Sequence, residues 1–179
     1  MNKAIDMNQT QEIDVALSKL TYGFHIVTTR KPAEEMETRD KDYLAAGTVS
    51  WIMQTSIEPP LITVALNKES DLAETVAKSG VFNIHTLGTE EENLIEQFSG
   101  DSDISAQQIN DLGFQLSPAT KSPMLNIGIS VVECEVVEEV VTNGDHMLFI
   151  GKITGTTIRK TEAAALHRWQ TSFEYGGVS

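Results

Sequence analysis

The sequence predicts a mainly β protein, an antiparallel barrel with peripheral helices, and three observations carry that prediction. Two β-rich runs, SVVECEVVEEVV and HMLFIGKITGTTI, flank an Asn143-Gly144 pair, the strongest short-range hairpin signal. Strand patterns recur in roughly six segments, whereas helical spacing is confined to a few short stretches. Those helices do not alternate regularly with the strands, which disfavours a doubly wound parallel sheet.

Taken in order, Ile13, Ala16, Leu17 and Leu20 stand at helical spacing over residues 12–20, and Tyr22-Gly23 ends that pattern. FHIVTT (24–29) is aromatic and β-branched and reads as a first strand. A second begins at Tyr43 and runs on through LAAGTVSWI. The intervening KPAEEMETRDKD (31–42) is mixed in sign and almost without apolar residues, so it reads as a solvated loop. Pro59-Pro60 opens a third strand ending near Leu66. Ser70 is placed to cap a helix with Leu72, Ala73, Val76 and Ala77 on one face, stopped by Gly80. VFNIHTL (81–87) is the fourth strand.

Thr89 and Glu92 match a capping box for a helix bearing Leu94, Ile95 and Phe98 and ending near Gly100. Another short helix is expected over Ser105–Leu112, ended by Gly113, and Ser117–Pro123 reads as loop. The hairpin turn at Asn143-Gly144 is expected to be type I′, with positive φ at both central residues. Residues 1–179 are expected to form one domain, with a flexible N-terminus over 1–11.

Charge narrows the function. Thirteen Lys and Arg face 26 Asp and Glu, a net charge of −13, which excludes nucleic acid and anionic membrane as expected partners. The 40% hydrophobic fraction is that of an ordinary globular chain. The single cysteine, Cys134, cannot form an intrachain disulfide. The N-terminal stretch is polar and no apolar run reaches the roughly 18 residues of a membrane helix, so the expected location is cytoplasmic. A phosphorylated ligand would have to be held by local donors against an unfavourable global field.

The common nucleotide cradles, Gly-x-Gly-x-x-Gly and Gly-x-x-x-x-Gly-Lys-Ser/Thr, are absent, as are Gly-x-Ser-x-Gly and His-Glu-x-x-His. His25, His85, His146 and His167 are dispersed, and no metal is expected. Cys134 alternates with Val132 and Val136 while Glu133 and Glu135 face the other way, the pattern of a buried small hydrophobe and outward carboxylates. Thr48, Ser50, Thr55 and Ser56 concentrate hydroxyls in one strand and its exit. Hydroxyls and free backbone N–H groups hold a phosphate and a polyol through oriented dipoles, although the same residues also suit a half-buried strand.

The chain resembles the flavin reductase-like proteins with the FMN-binding split barrel. The resemblance runs from ALSKLTYGFHIVTT through AAGTVSWIMQTSIEPPLITVALNKES, SGVFNIHTL, ENLIEQFSG and SPML to ECEVVEEVVTNGDHMLFIGKI. GTVSWIMQTSIEPP is similar to the segment of flavoredoxins and multidomain flavoproteins that wraps FMN. This implies Thr48, Val49, Ser50 and Trp51 near the ring and ribityl chain, with Thr55 and Ser56 toward the phosphate. Asn67-Lys68-Glu69-Ser70 corresponds to the phosphate-side loop, where Lys68 adds a local cation and Ser70 caps the helix that follows. A helix N-terminus independently favours an anion.

By the same resemblance, Gly144-Asp145-His146 matches a turn whose histidine faces the flavin or the nicotinamide, making His146 the leading catalytic candidate. His85 stands where the family pattern most often carries Asn, either as a flavin contact or as a satisfied core histidine. LHRWQTSFEYGG resembles the segment closing the barrel, with Phe173 or Tyr175 able to cover the flavin. The resemblance implies FMN or FAD as cofactor, NADH or NADPH as donor, and hydride transfer between them. It also implies a homodimer and a monooxygenase or redox-protein partner. An FMN-binding electron carrier reduced by a protein partner is the alternative.

Overall fold

The computed structural model describes residues 7–31, 44–105 and 107–173. The loop expected over 31–42 lies almost wholly outside them, as do Tyr175 and most of the expected flexible N-terminus. Three α-helices, α1 (Met7–Leu17), α2 (Asp71–Ser79) and α3 (Asn93–Gln97), accompany ten strands among the described residues. The strands are β1 (His25–Arg30), β2 (Leu44–Val49), β3 (Ile52–Ser56), β4 (Leu61–Asn67), β5 (Val81–Thr86), β6 (Gln108–Ile109), β7 (Leu112–Leu116), β8 (Pro123–Leu125), β9 (Ser130–Val141) and β10 (His146–Ile158).

Seven strands form one antiparallel sheet in the order β2-β1-β5-β9-β10-β4-β3, and β6-β7-β8 form a second. The two edge strands of the large sheet, β2 and β3, are consecutive in sequence, so the sheet curls until its edges meet at Ser50-Trp51. This is an antiparallel split barrel, as the strand patterns predict. The expected continuous strand from Tyr43 is interrupted at that corner: β2 pairs with β1, and β3 turns away to pair with β4. The corner is closed by Ile52 N–H donating to Ser50 O and Ala65 N–H donating to Trp51 O.

Helix α2 forms where its caps dictate. Ser70 Oγ accepts from Ala73 N at 3.1 Å, and Gly80 takes left-handed backbone (φ 65°) with its N–H donating to Val76 O. Its inner face is Leu72, Ala73, Thr75 and Val76; Ala77 is exposed, contrary to the expected face. These residues pack on Val27, Ala45, Val64, Phe82 and Phe149. A second core joins Phe24, Ile26, Leu87, Ile95, Phe98, Leu125 and Leu166 beside α3. Each fully buried Phe or Leu contributes roughly 1.5–3 kcal/mol.

Four expectations are corrected. Helix α1 ends at Leu17, and Ile13 and Leu17 on it, with Leu20 beyond its end, lie exposed rather than against the core. Thr89 does not cap α3; the Glu91 carboxylate accepts from Gly88 N and Gly128 N instead, which draws the chain into a turn before Asn93. The stretch 105–112 is not a helix but a tight hairpin, because Asn110 and Asp111 both take left-handed backbone (φ 50° and 65°) between β6 and β7. The β9–β10 hairpin is present, but neither Asn143 nor Gly144 is left-handed. Thr142 Oγ1 bonds the His146 carbonyl and Gly144 N, and a side-chain bridge thus closes a four-residue loop.

Cys134 is fully buried and burial pushes its thiol up to about 12, consistent with a structural residue. Glu133, expected outward, is buried, with Oε2 accepting from Ala119 N at 2.8 Å and Thr120 N at 3.0 Å. Glu133 lies on the face of β9 opposite Cys134, as the alternation predicts, but the 117–122 loop covers that face, and Gly155 leaves the space the carboxylate occupies: a Cβ there would lie 2.7 Å from Glu133 Oε1.

Candidate functional site

Two concavities flank the corner where β2 passes into β3. The first, of about 410 Å³, lies between β2, the end of β4, the start of α2 and the segment after α3. Thr48, Val49, Ser70 and Phe173, four of the residues the resemblance names, line it. Thr48 is also structural there: its N–H donates to Phe98 O and its hydroxyl to Ile95 O at 2.7 Å, tying β2 to α3. Phe173 stands edge-on to Phe24 at 6.0 Å between ring centroids. Glu69, Asp71 and Asp101 also line this cleft, and its described lining residues include no Lys, Arg or His.

The second concavity, of about 490 Å³, is an apolar groove between the residues following α1 and β3, with Ser50, Trp51 and Leu148 in its wall. Ala65 lines both. At their junction Trp51 is 38% exposed, and its ring lies 4.7 Å from that of His146.

His146 opens β10, opposite Asn67 at the end of β4. Its Nδ1 is 2.8 Å from Asp145 Oδ1, an arrangement in which Nδ1–H donates to the carboxylate. That hydrogen bond holds Asp145 below the usual carboxylate range, with the His146 charge adding to the effect. Among the described residues Nε2 is buried without a hydrogen-bond partner; Ser50 Oγ, at the corner, is likewise buried and unpartnered, as are Ser122 Oγ and His167 Nδ1 elsewhere. Buried polar atoms without partners cost about 1–3 kcal/mol each, so two at one corner make it a candidate ligand site.

The other candidates fall elsewhere. Lys68 does not line the cleft; its Nζ donates to the carbonyls of Thr142 and Gly144, 2.5 Å each. Thr55 shares a hydrogen bond with Thr63 across β3–β4, and Ser56 ends β3, both away from the two concavities. His85 is fully buried, with Nδ1 3.1 Å from Ile26 O and Nε2 accepting from Leu125 N at 3.1 Å. Burial lowers its pKa to about 4. Both ring nitrogens are used, so His85 is the core histidine of the two alternatives. Asp145 emerges as the orienting partner of His146; its adjacency in sequence was the available signal.

A family profile described as the flavin reductase like domain matches residues 17–177. The chain belongs to the flavin reductase-like family. High molecular weight rubredoxin from Moorella thermoacetica is 26% identical over 144 residues, covering 80% of this chain and 58% of that protein. The NADH-dependent FMN reductase of Streptomyces nodosus subsp. asukaensis is 26% identical over 108 residues, covering 60% of this chain and 58% of that protein. The chain thus spans little more than half the length of these two relatives.

Among solved structures, the Streptomyces globisporus NADH:FAD oxidoreductase in complex with NAD and FAD fragments superposes with a TM-score of 0.72 at 17% identity, over 93% of this chain and 92% of that one. The styrene monooxygenase flavin reductase of Pseudomonas putida superposes with a TM-score of 0.67 at 21% identity, over 85% and 88%. Both share the split barrel. For a flavin reductase-like chain, the unpartnered Ser50 Oγ and His146 Nε2 beside a half-exposed Trp51 fit a flat, polar-edged ring system. Among the described residues no helix is long and apolar enough to cross a membrane.

Proposed function

We propose that this chain is an NAD(P)H-dependent flavin reductase that binds FMN, or FAD, at the β2–β3 corner. The observation that carries the reading is that Ser50 Oγ and His146 Nε2 are both buried and unpartnered, Ser50 next to Trp51 in the chain and the His146 ring 4.7 Å from the Trp51 ring. A bound flavin supplies the hydride-accepting chemistry at this corner. Ser50 offers a hydroxyl to a polar ring edge, and Trp51 supplies apolar surface. Asp145 holds His146 with Nε2 turned away from its own hydrogen bond, available to the flavin or to an incoming nicotinamide. Val49 and Phe173 wall the neighbouring cleft, and Thr48 fixes β2 against α3.

Phosphate at the α2 end of that cleft would rest on backbone N–H groups and hydroxyls such as Ser70, against three carboxylates. To test the reading, the purified chain is mixed anaerobically with FMN and either NADH or NADPH. Loss of the flavin visible band is expected; an unchanged spectrum with both donors contradicts it.

The likeness to high molecular weight rubredoxin and the net charge of −13 favour one second reading, an FMN electron carrier reduced by a protein partner. Bound FMN that is inert to both nicotinamides yet reduced by a rubredoxin would select it. A homodimer fits the exposed apolar residues of α1 and the groove beside them, and light scattering measures it. A monooxygenase component is the partner class that the styrene monooxygenase reductase brings to mind for released reduced flavin.

A further inference from the structure

Lys68 follows β4 immediately and makes three bonds to one turn. Its Nζ donates to Thr142 O and Gly144 O, 2.5 Å each, and its backbone N–H donates to Asp145 O at 2.9 Å. The preceding residue, Asn67, pairs with His146 in the β4–β10 ladder. Inside the turn, Thr142 Oγ1 bonds the His146 carbonyl and Asp145 Oδ1 takes His146 Nδ1. All of these contacts bear on where one imidazole sits against Trp51.

We propose that Lys68 is a positioning residue for His146: its ammonium clamps the 142–145 turn and so sets the imidazole, instead of serving as a cation for a ligand phosphate. An ammonium offers three N–H donors, and two are spent here on carbonyls at charge-assisted distances. Swinging Nζ toward a phosphate would leave both carbonyls without this donor and release the turn that carries Asp145. The same tie joins the turn to Ser70, whose N–H and hydroxyl both donate to Asn67 O, so the cleft wall and the hairpin are held as one unit.

The role of His146 in turnover rests on the proposed reductase activity, but the clamp is testable without flavin. In the ligand-free protein, nitrogen-15 NMR follows the His146 ring, assigned by its loss in H146N, together with the Trp51 indole N–H. K68M is expected to shift both sets of signals, and K68R, which keeps the charge and donors, to restore them. If K68M does not fold, K68Q takes its place. In a second arm, FMN and riboflavin are titrated into wild type and K68M. Equal loss of affinity for the two is expected, since neither uses Lys68 at a phosphate. Unmoved His146 and Trp51 signals, or lost affinity for FMN with riboflavin unchanged, would overturn the proposal. Absence of flavin binding by every variant would instead count against the reductase reading and leave the NMR arm intact.

Discussion

Two regions of the chain bury polar groups and differ in how far the fold satisfies them. Around β5 and the 117–122 loop, His85 uses both ring nitrogens and Glu133 caps two backbone amides. Asn83 donates to Pro123 O and accepts from Thr120 Oγ1. Apart from Ser122 Oγ, the side chains of that cluster are satisfied within the chain. At the β2–β3 corner, Ser50 Oγ and His146 Nε2 are buried with no such partner. Chemical type does not separate the two regions, since each holds a histidine and hydroxyls. What separates them is how far the fold completes the hydrogen bonds, and on that difference rests the proposal that one region serves stability and the other a ligand.

The sharpest way to break this contrast is at Glu133. E133A leaves Ala119 N and Thr120 N without their acceptor and is expected to cost about 3 kcal/mol in urea unfolding, with flavin affinity unchanged. A small loss, or an effect confined to flavin binding, would mean the cluster is not the stabilising one.

Acid should find the same region next. Burial lowers the His85 pKa to about 4, so the unfolded chain, with an ordinary histidine pKa, takes up the proton first as pH falls. Stability from this group is full above pH ~6.5 and declines toward pH ~4, with about 2 kcal/mol gone by pH 5. His25, also lowered to about 4 by burial and the nearby His167, acts in the same direction. Unfolding at pH 7 and pH 5 measures the slope, and H85F should flatten it.

At the corner the expected balance reverses. H146A should change stability by less than about 0.5 kcal/mol while lowering kcat/KM for NADH about tenfold through lost orientation. Steady-state kinetics beside a melting curve checks both halves. The smallest effect belongs to Cys134, whose raised thiol pKa and complete burial predict no reaction with a thiol reagent until the chain is unfolded.

The legible parts of the fold are those set by local pattern. β-branched runs placed β1, β4, β5, β9 and β10, and Ser70 with Gly80 bounded α2, because caps and alternation act within a few residues. The misread parts depend on what meets what. Asn110-Asp111 carried turn chemistry that the helical spacing of its neighbours concealed. Glu133 keeps the facing that SVVECEVV predicts but is buried because the distant 117–122 loop packs over it and donates Ala119 N and Thr120 N, which local pattern does not record. At the candidate site, Thr48, Val49, Ser50, Trp51 and His146 are residues that the resemblance named and that lie at or beside the β2–β3 corner. Lys68 looked like a phosphate cation because it sits beside a helix N-terminus, yet its carbonyl partners lie 74 and 76 residues along the chain. The acidic sequence led to the expectation of a phosphate site poor in cations, and the described lining of the cleft between β2 and α2 includes no Lys, Arg or His.

The most direct test is an amide and side-chain chemical-shift map of the chain titrated with FMN. Completion of the open corner predicts that the largest shifts fall on Ser50, Trp51 and His146, with Val49 and Phe173 following and His85, Asn83 and Glu133 still. Shifts centred on the His85–Glu133 cluster, or on the face formed by Gln108, Asn126 and Arg159, would contradict it.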